Sequence, residues 1–159
     1  MSKKSKTSVG PKRAGASRAA KGEVLRRRVL GDAHVDKSIA GADLLSADFT
    51  QLIHEWVWHD IWGRPGLPLK TRSLINIGLL AALNRPRELK IHLRGAVNNG
   101  CTLAEIREVL MHTSLYAGVP AALDGLQVAR ETLSELGVLP RAKPKSAPKR
   151  RSKRSRKGT

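Results

Sequence analysis

Apolar positions recur at helical spacing through most of the middle of the chain. In ADLLSADFTQLIHEWVWHDIW (42–62), Leu45, Phe49, Leu52, Ile53, Trp56, Val57 and Ile61 fall on one helical face. GRPGLP (63–68) ends that helix with Gly and Pro. LKTRSLINIGLLAAL (69–83) is apolar around most of its circumference, the pattern of a buried helix. After a short break at Asn84–Arg85, Pro86 opens a helix with the stripe Leu89, Leu93, Ala96 and Val97, and Asn98, Asn99 and Gly100 stop it. TLAE (102–105) reads as a capping box for a helix to about Tyr116. AGVP (117–120) breaks the chain before a last helix that Gly137 ends. No segment keeps a two-residue period long enough for a strand. The pattern predicts an all-α fold of five main helices, with a short N-terminal element around VLRRRVLG (24–31).

Length and charge refine this. The chain has 159 residues, one domain's worth, and a net charge of +17. Residues 1–28 hold ten Lys+Arg against one acid, and residues 140–159 hold ten against none, which leaves ten Lys+Arg and twelve Asp+Glu between them. The basicity belongs to the ends. Residues 1–22 and 139–159 are expected to be disordered basic tails around a helical domain at 23–138. Such arms serve either as solvated extensions or as salt-sensitive, non-specific contacts with nucleic acid. The N-terminal arm is also acid-poor and Ser/Arg-containing, as transit peptides are, but shows little amphipathic period. No apolar leader follows Met1, and no uncharged run is long enough to span a membrane, so a cytoplasmic location is expected. The single cysteine, Cys101, excludes an internal disulfide and a zinc site built on several thiolates. So apolar a second helix in so short a domain predicts self-association.

Two features suggest chemistry. Glu88 and His92 stand four apart at the border of an apolar stripe, so they are neighbours on the helix surface. A carboxylate beside an imidazole favours the protonated ring, which makes His92 a candidate acid and Glu88 its tuning partner. The alternative is an ordinary surface pair. Neither a glycine-rich phosphate loop nor an H-E-x-x-H ligand set occurs.

Five motifs occur in order: W-x3-W-G-R-P-G-L (58–67), T-R-S-L (71–74), E-L-K-I-H-L-R-G-A-x-N-N-G (88–100), E-I-R-E-V-L (105–110) and Y-A-G-V-P-A-A (116–122). Together they resemble the carboxymuconolactone decarboxylase family, and RRRVLGDAHVD (26–36) is similar to its N-terminal segment. The resemblance covers roughly 24–136. The family's peroxidase branch uses C-x-x-C with a histidine four residues later. Here those places read Arg85-Pro86-Arg87-Glu88, then His92, so thiol peroxidase chemistry is excluded. One departure is His59, where the family usually has glycine in a W-G-x-x-W stretch.

The resemblance implies an all-helical fold assembled as a trimer or hexamer. It also implies a carboxy-lyase that converts 4-carboxymuconolactone to 3-oxoadipate enol-lactone and CO2, in the protocatechuate branch of the β-ketoadipate route. No cofactor or metal is expected, because the substrate's own lactone carbonyl can take up the electrons. The roles that follow are His92 as proton donor, Glu88 as its partner and Tyr116 as a donor to the lactone oxyanion. Arg72, then Arg64, would clamp the substrate's carboxylates, and His59 and Trp62 would border the pocket. The alternatives are another lactone or β-keto acid as substrate, or a helical core whose tails bind nucleic acid.

Overall fold

The computed structural model describes residues 15–139. Among them all regular structure is helical: α1 (Arg18–Leu30), α2 (Asp32–Ala40), α3 (Ala47–Leu52, passing into a wider π-type stretch, Ile53–Trp62), α4 (Leu69–Ala82), α5 (Pro86–Asn98), α6 (Leu103–Ala117) and α7 (Val119–Glu135). The short N-terminal element expected at 24–31 is the second half of α1, which begins at Arg18, inside the segment assigned to the tail, and α2 follows it. Residues 1–14 and 140–159 of the expected tails lie outside the described residues.

Local rules explain the C-terminal half. Pro86 occupies the first turn of α5, and Asn84, with φ 49, turns the chain between α4 and α5. The capping box of α6 is formed: Thr102 Oγ1 accepts from the Glu105 N–H at 3.2 Å, and Glu105 Oε2 accepts from the Thr102 N–H at 2.8 Å. Helices α4 to α7 enclose one core, with Ile77, Leu89, Leu93, Ile106, Leu110 and Leu133 at its centre. A second, smaller core joins Val29 and Leu30 of α1 to Trp58 and Trp62.

The segment 42–62 departs from the expected α-helix. From Ile53 its backbone closes i→i+5, and the Gly63 N–H still reaches the Trp58 carbonyl at 3.0 Å. The buried face is His54, Trp58 and Trp62, whereas Leu45, Phe49, Leu52, Trp56 and Ile61 of the expected stripe are exposed on the single chain. α1 dictates which face turns inward. It crosses this stretch at Gly22, where an added Cβ would run into the His54 carbonyl.

Candidate active site

Beside the second core lies a cleft of about 960 Å3, walled by α1, α2, the π-type stretch and α5, with Asn76 contributed by α4. The contact of α1 with α5 sets its depth. Gly95 lies against Val29 and Leu30, so closely that a Cβ there would sit 3.1 Å from Leu30 Cδ2. The Asn98 amide also donates to the Val29 carbonyl at 2.9 Å. These contacts hold Arg26 and His34 in the same cleft as His92.

His92 is held on two sides. Its ring stacks on Trp62, with centroids 6.0 Å apart and planes at 25°. Its Nδ1 lies 3.3 Å from the Asn76 amide nitrogen. An amide nitrogen can only donate, so Nδ1 accepts and the neutral ring carries its proton on Nε2. Burial pushes the imidazole down to about 4, the charge of His34 adds to the shift, and Glu88 opposes it. This reverses the expectation of a ring held protonated by its carboxylate neighbour. Glu88 does share the cleft, but it lies exposed, where water screens its field, while desolvation dominates at the half-buried His92.

The other expected residues divide. Trp62 is buried in the cleft wall. Arg72 lies one turn before Asn76 on α4, but its guanidinium turns back to donate to the Arg64 carbonyl at 3.0 Å and does not line the cleft. Arg64 is exposed on the preceding loop, and half-buried His59 lines neither the cleft nor its neighbour, since Trp58 and Trp62 take the inward positions. Tyr116 is not brought to His92 within one chain. It is 77% exposed, packs on His112 with centroids 4.9 Å apart, and borders a separate apolar groove of about 740 Å3 between α4 and α6. Asn76 and the groove residues Ile75 and Leu79 project from different faces of α4, so that helix separates the two cavities.

Sequence reasoning missed Arg26, His34, Lys37 and Asn76, all in the cleft wall. The signal available was Asn76, the one polar side chain in the apolar stretch 74–82; nothing local distinguishes Arg26 from the two arginines after it. His54 is buried against Arg26. Among the described residues no group of three or more His, Cys, Asp or Glu comes together to hold a metal ion. Cys101 is buried with its thiol 3.6 Å from the Lys70 carbonyl, and burial raises its pKa. It has no partner thiol in the sequence.

The arrangement is that of an all-helical enzyme with a desolvated histidine in a cation-rich cleft. The carboxymuconolactone decarboxylase family matches residues 47–131. Over 116 residues, 73% of this chain and 87% of the relative, the chain is 43% identical to a 4-carboxymuconolactone decarboxylase of Acinetobacter baylyi. It is 38% identical to a nitrosuccinic acid decarboxylase of Metarhizium robertsii over 112 residues, 70% of this chain and 78% of the relative. The chain belongs to the carboxymuconolactone decarboxylase family, and it is a carboxy-lyase, not a thiol peroxidase. No helix among the described residues is long and apolar enough to cross a membrane.

Proposed function

We propose that the chain converts 4-carboxymuconolactone to 3-oxoadipate enol-lactone and CO2, as a self-associating enzyme of the cytoplasm. The observation that carries this reading is the placement of His92, desolvated and stacked on Trp62, in a cleft whose walls bring Arg26, Lys37 and Arg87 to a dianionic substrate. The 43% identity to the Acinetobacter decarboxylase supports the choice of lactone.

The bond between the ring carbon and its carboxyl carbon breaks, and its electron pair passes through the ring alkene to the lactone carbonyl oxygen. The substrate is thus its own electron sink. The protein has to stabilise the furanolate oxyanion and return a proton to the carbon next to the lactone carbonyl. Burial favours the neutral form of His92. Two substrate carboxylates bring the opposite charge that favours its protonated form, so the ring takes up a proton as the dianion binds and delivers it after CO2 has left. Asn76 and Trp62 fix the ring so that Nε2 faces the substrate, while Glu88 adds a favourable field from the rim. Arg72, Arg64 and His59 stand outside the wall and, like Tyr116, have no step here.

A second reading takes nitrosuccinic acid as substrate, which the 38% identity to the Metarhizium enzyme supports. It is also a dicarboxylate, with a nitro group to receive the electrons. Purified protein incubated with each acid separates the two. Loss of the lactone's absorbance with stoichiometric CO2, and a larger kcat/KM for the lactone, is the expected result. A larger kcat/KM for nitrosuccinate overturns the first reading.

A further inference from the structure

Arg26 and Arg27 are neighbours on α1 with opposite surroundings. Arg27 is paired with Glu23 at 2.9 Å, Asp36 at 2.7 Å and Asp32 at 3.4 Å. Arg26 is 8% exposed and pairs with no carboxylate among the described residues. Its Nη1 lies 3.1 Å from His54 Nε2, its Nη2 donates to Ser38 Oγ at 3.0 Å, and its buried Nε has no acceptor among the described residues. A guanidinium has five N–H donors, so these two contacts orient it and leave three unused. His54 can only accept from it, which fixes that ring neutral with its proton on Nδ1. A buried cation with no carboxylate in contact, only the more distant field of Glu23, is costly to keep. The cost is recovered when an anion arrives in the cleft that Arg26 lines with His92.

We propose that Arg26 is a substrate-binding residue that holds the carboxylate the product keeps, with His54 and Ser38 as its positioning residues. The proposal rests on the dicarboxylate reading above. The departing carboxylate must lose its charge to become CO2, and a guanidinium clamped on it would stabilise the ground state more than the transition state. On the retained arm the charge is the same throughout. Arg26 therefore acts on KM and on product affinity, with little effect on kcat.

The test uses the full chain and the fluorescence of its tryptophans, two of which wall the cleft. The probes are a saturated γ-lactone bearing one acetate arm, which has nothing to lose as CO2, and its neutral methyl ester. The native protein should bind the acid at least tenfold more tightly than the ester, and Arg26→Met should bind both alike. Arg26→Lys keeps the charge but loses the fork, and should give an intermediate preference. On the lactone substrate both variants should raise KM about ten- to a hundredfold, the range for a charge-assisted bond, with kcat within a few-fold. If Arg26→Met does not fold by circular dichroism, Arg26→Lys decides. An unchanged acid preference in a folded variant, or no preference in the native protein, overturns the proposal. A native protein that prefers the acid but does not decarboxylate carboxymuconolactone sinks the substrate reading and leaves the carboxylate site standing.

Discussion

The ionisation of His92 follows from a contest between burial and two neighbouring charges, and burial wins. With a value of about 4, the ring is almost wholly neutral at pH 7 in the free enzyme. If substrate binding draws the proton in, two measurements should agree. Calorimetry in buffers of different ionisation enthalpy should detect net proton uptake on binding. The pH profile of kcat/KM reports the free enzyme, so it should fall about tenfold per unit from about pH 5 to 8, while kcat holds level further up. A flat kcat/KM over that range would contradict an imidazolium donor and leave Nε2–H only as a hydrogen-bond donor to the oxyanion. His92→Gln should lower kcat on the order of 10²-fold or more. Glu88→Gln should cost far less, because its exposed carboxylate contributes the weakest influence on the ring.

At the scale of the element, the crossing of α1 over the π-type stretch positions the site. Gly22 permits it, since any Cβ there meets the His54 backbone. Gly22→Ala should therefore force the two elements apart and shift the His54–Arg26 contact along with Trp58 and Trp62. A loss of about 2 kcal/mol or more, the range for overpacking a core contact, is expected in urea unfolding, together with altered tryptophan emission. A variant as stable as the native chain would show that α1 is free to slide and that the cleft is not fixed by this contact. The motif RRRVLG is informative only once this crossing is known: three consecutive arginines become one buried cation, one surface hub of carboxylates and one exposed side chain.

At the scale of the molecule, a large apolar surface remains uncovered. Leu79, Met111, Leu115, Tyr116, Val119 and Leu123 are all more than half exposed, on helices α4, α6 and α7. Contiguous exposure of this kind marks an interface. Light scattering should find the native chain as a homo-oligomer, and Leu115→Arg should shift it toward the monomer; a native monomer would refute self-association. The basic ends make a separate prediction. Removing residues 1–14 and 140–159 should leave decarboxylation unchanged and abolish any salt-sensitive binding to DNA, whereas activity lost with the ends would tie them to catalysis.

By itself the sequence determined the helical class, the capping box of α6, the Pro86 start and Asn98–Gly100 stop of α5, and the pairing of Glu88 with His92 on one edge. These are properties of neighbours within a few residues, fixed by backbone geometry and side-chain spacing. The family was legible for the same reason, since its motifs are short and contiguous. Tertiary structure decided which face of 42–62 turns inward, because only the approach of α1 at Gly22 selects His54, Trp58 and Trp62 over the more apolar stripe beside them. It also decided that His92 is neutral, that Tyr116 looks into another groove, and that Arg26 rather than Arg72 enters the cleft. Desolvation and the facing of distant side chains depend on what packs from elsewhere in the chain, and no local pattern carries that information.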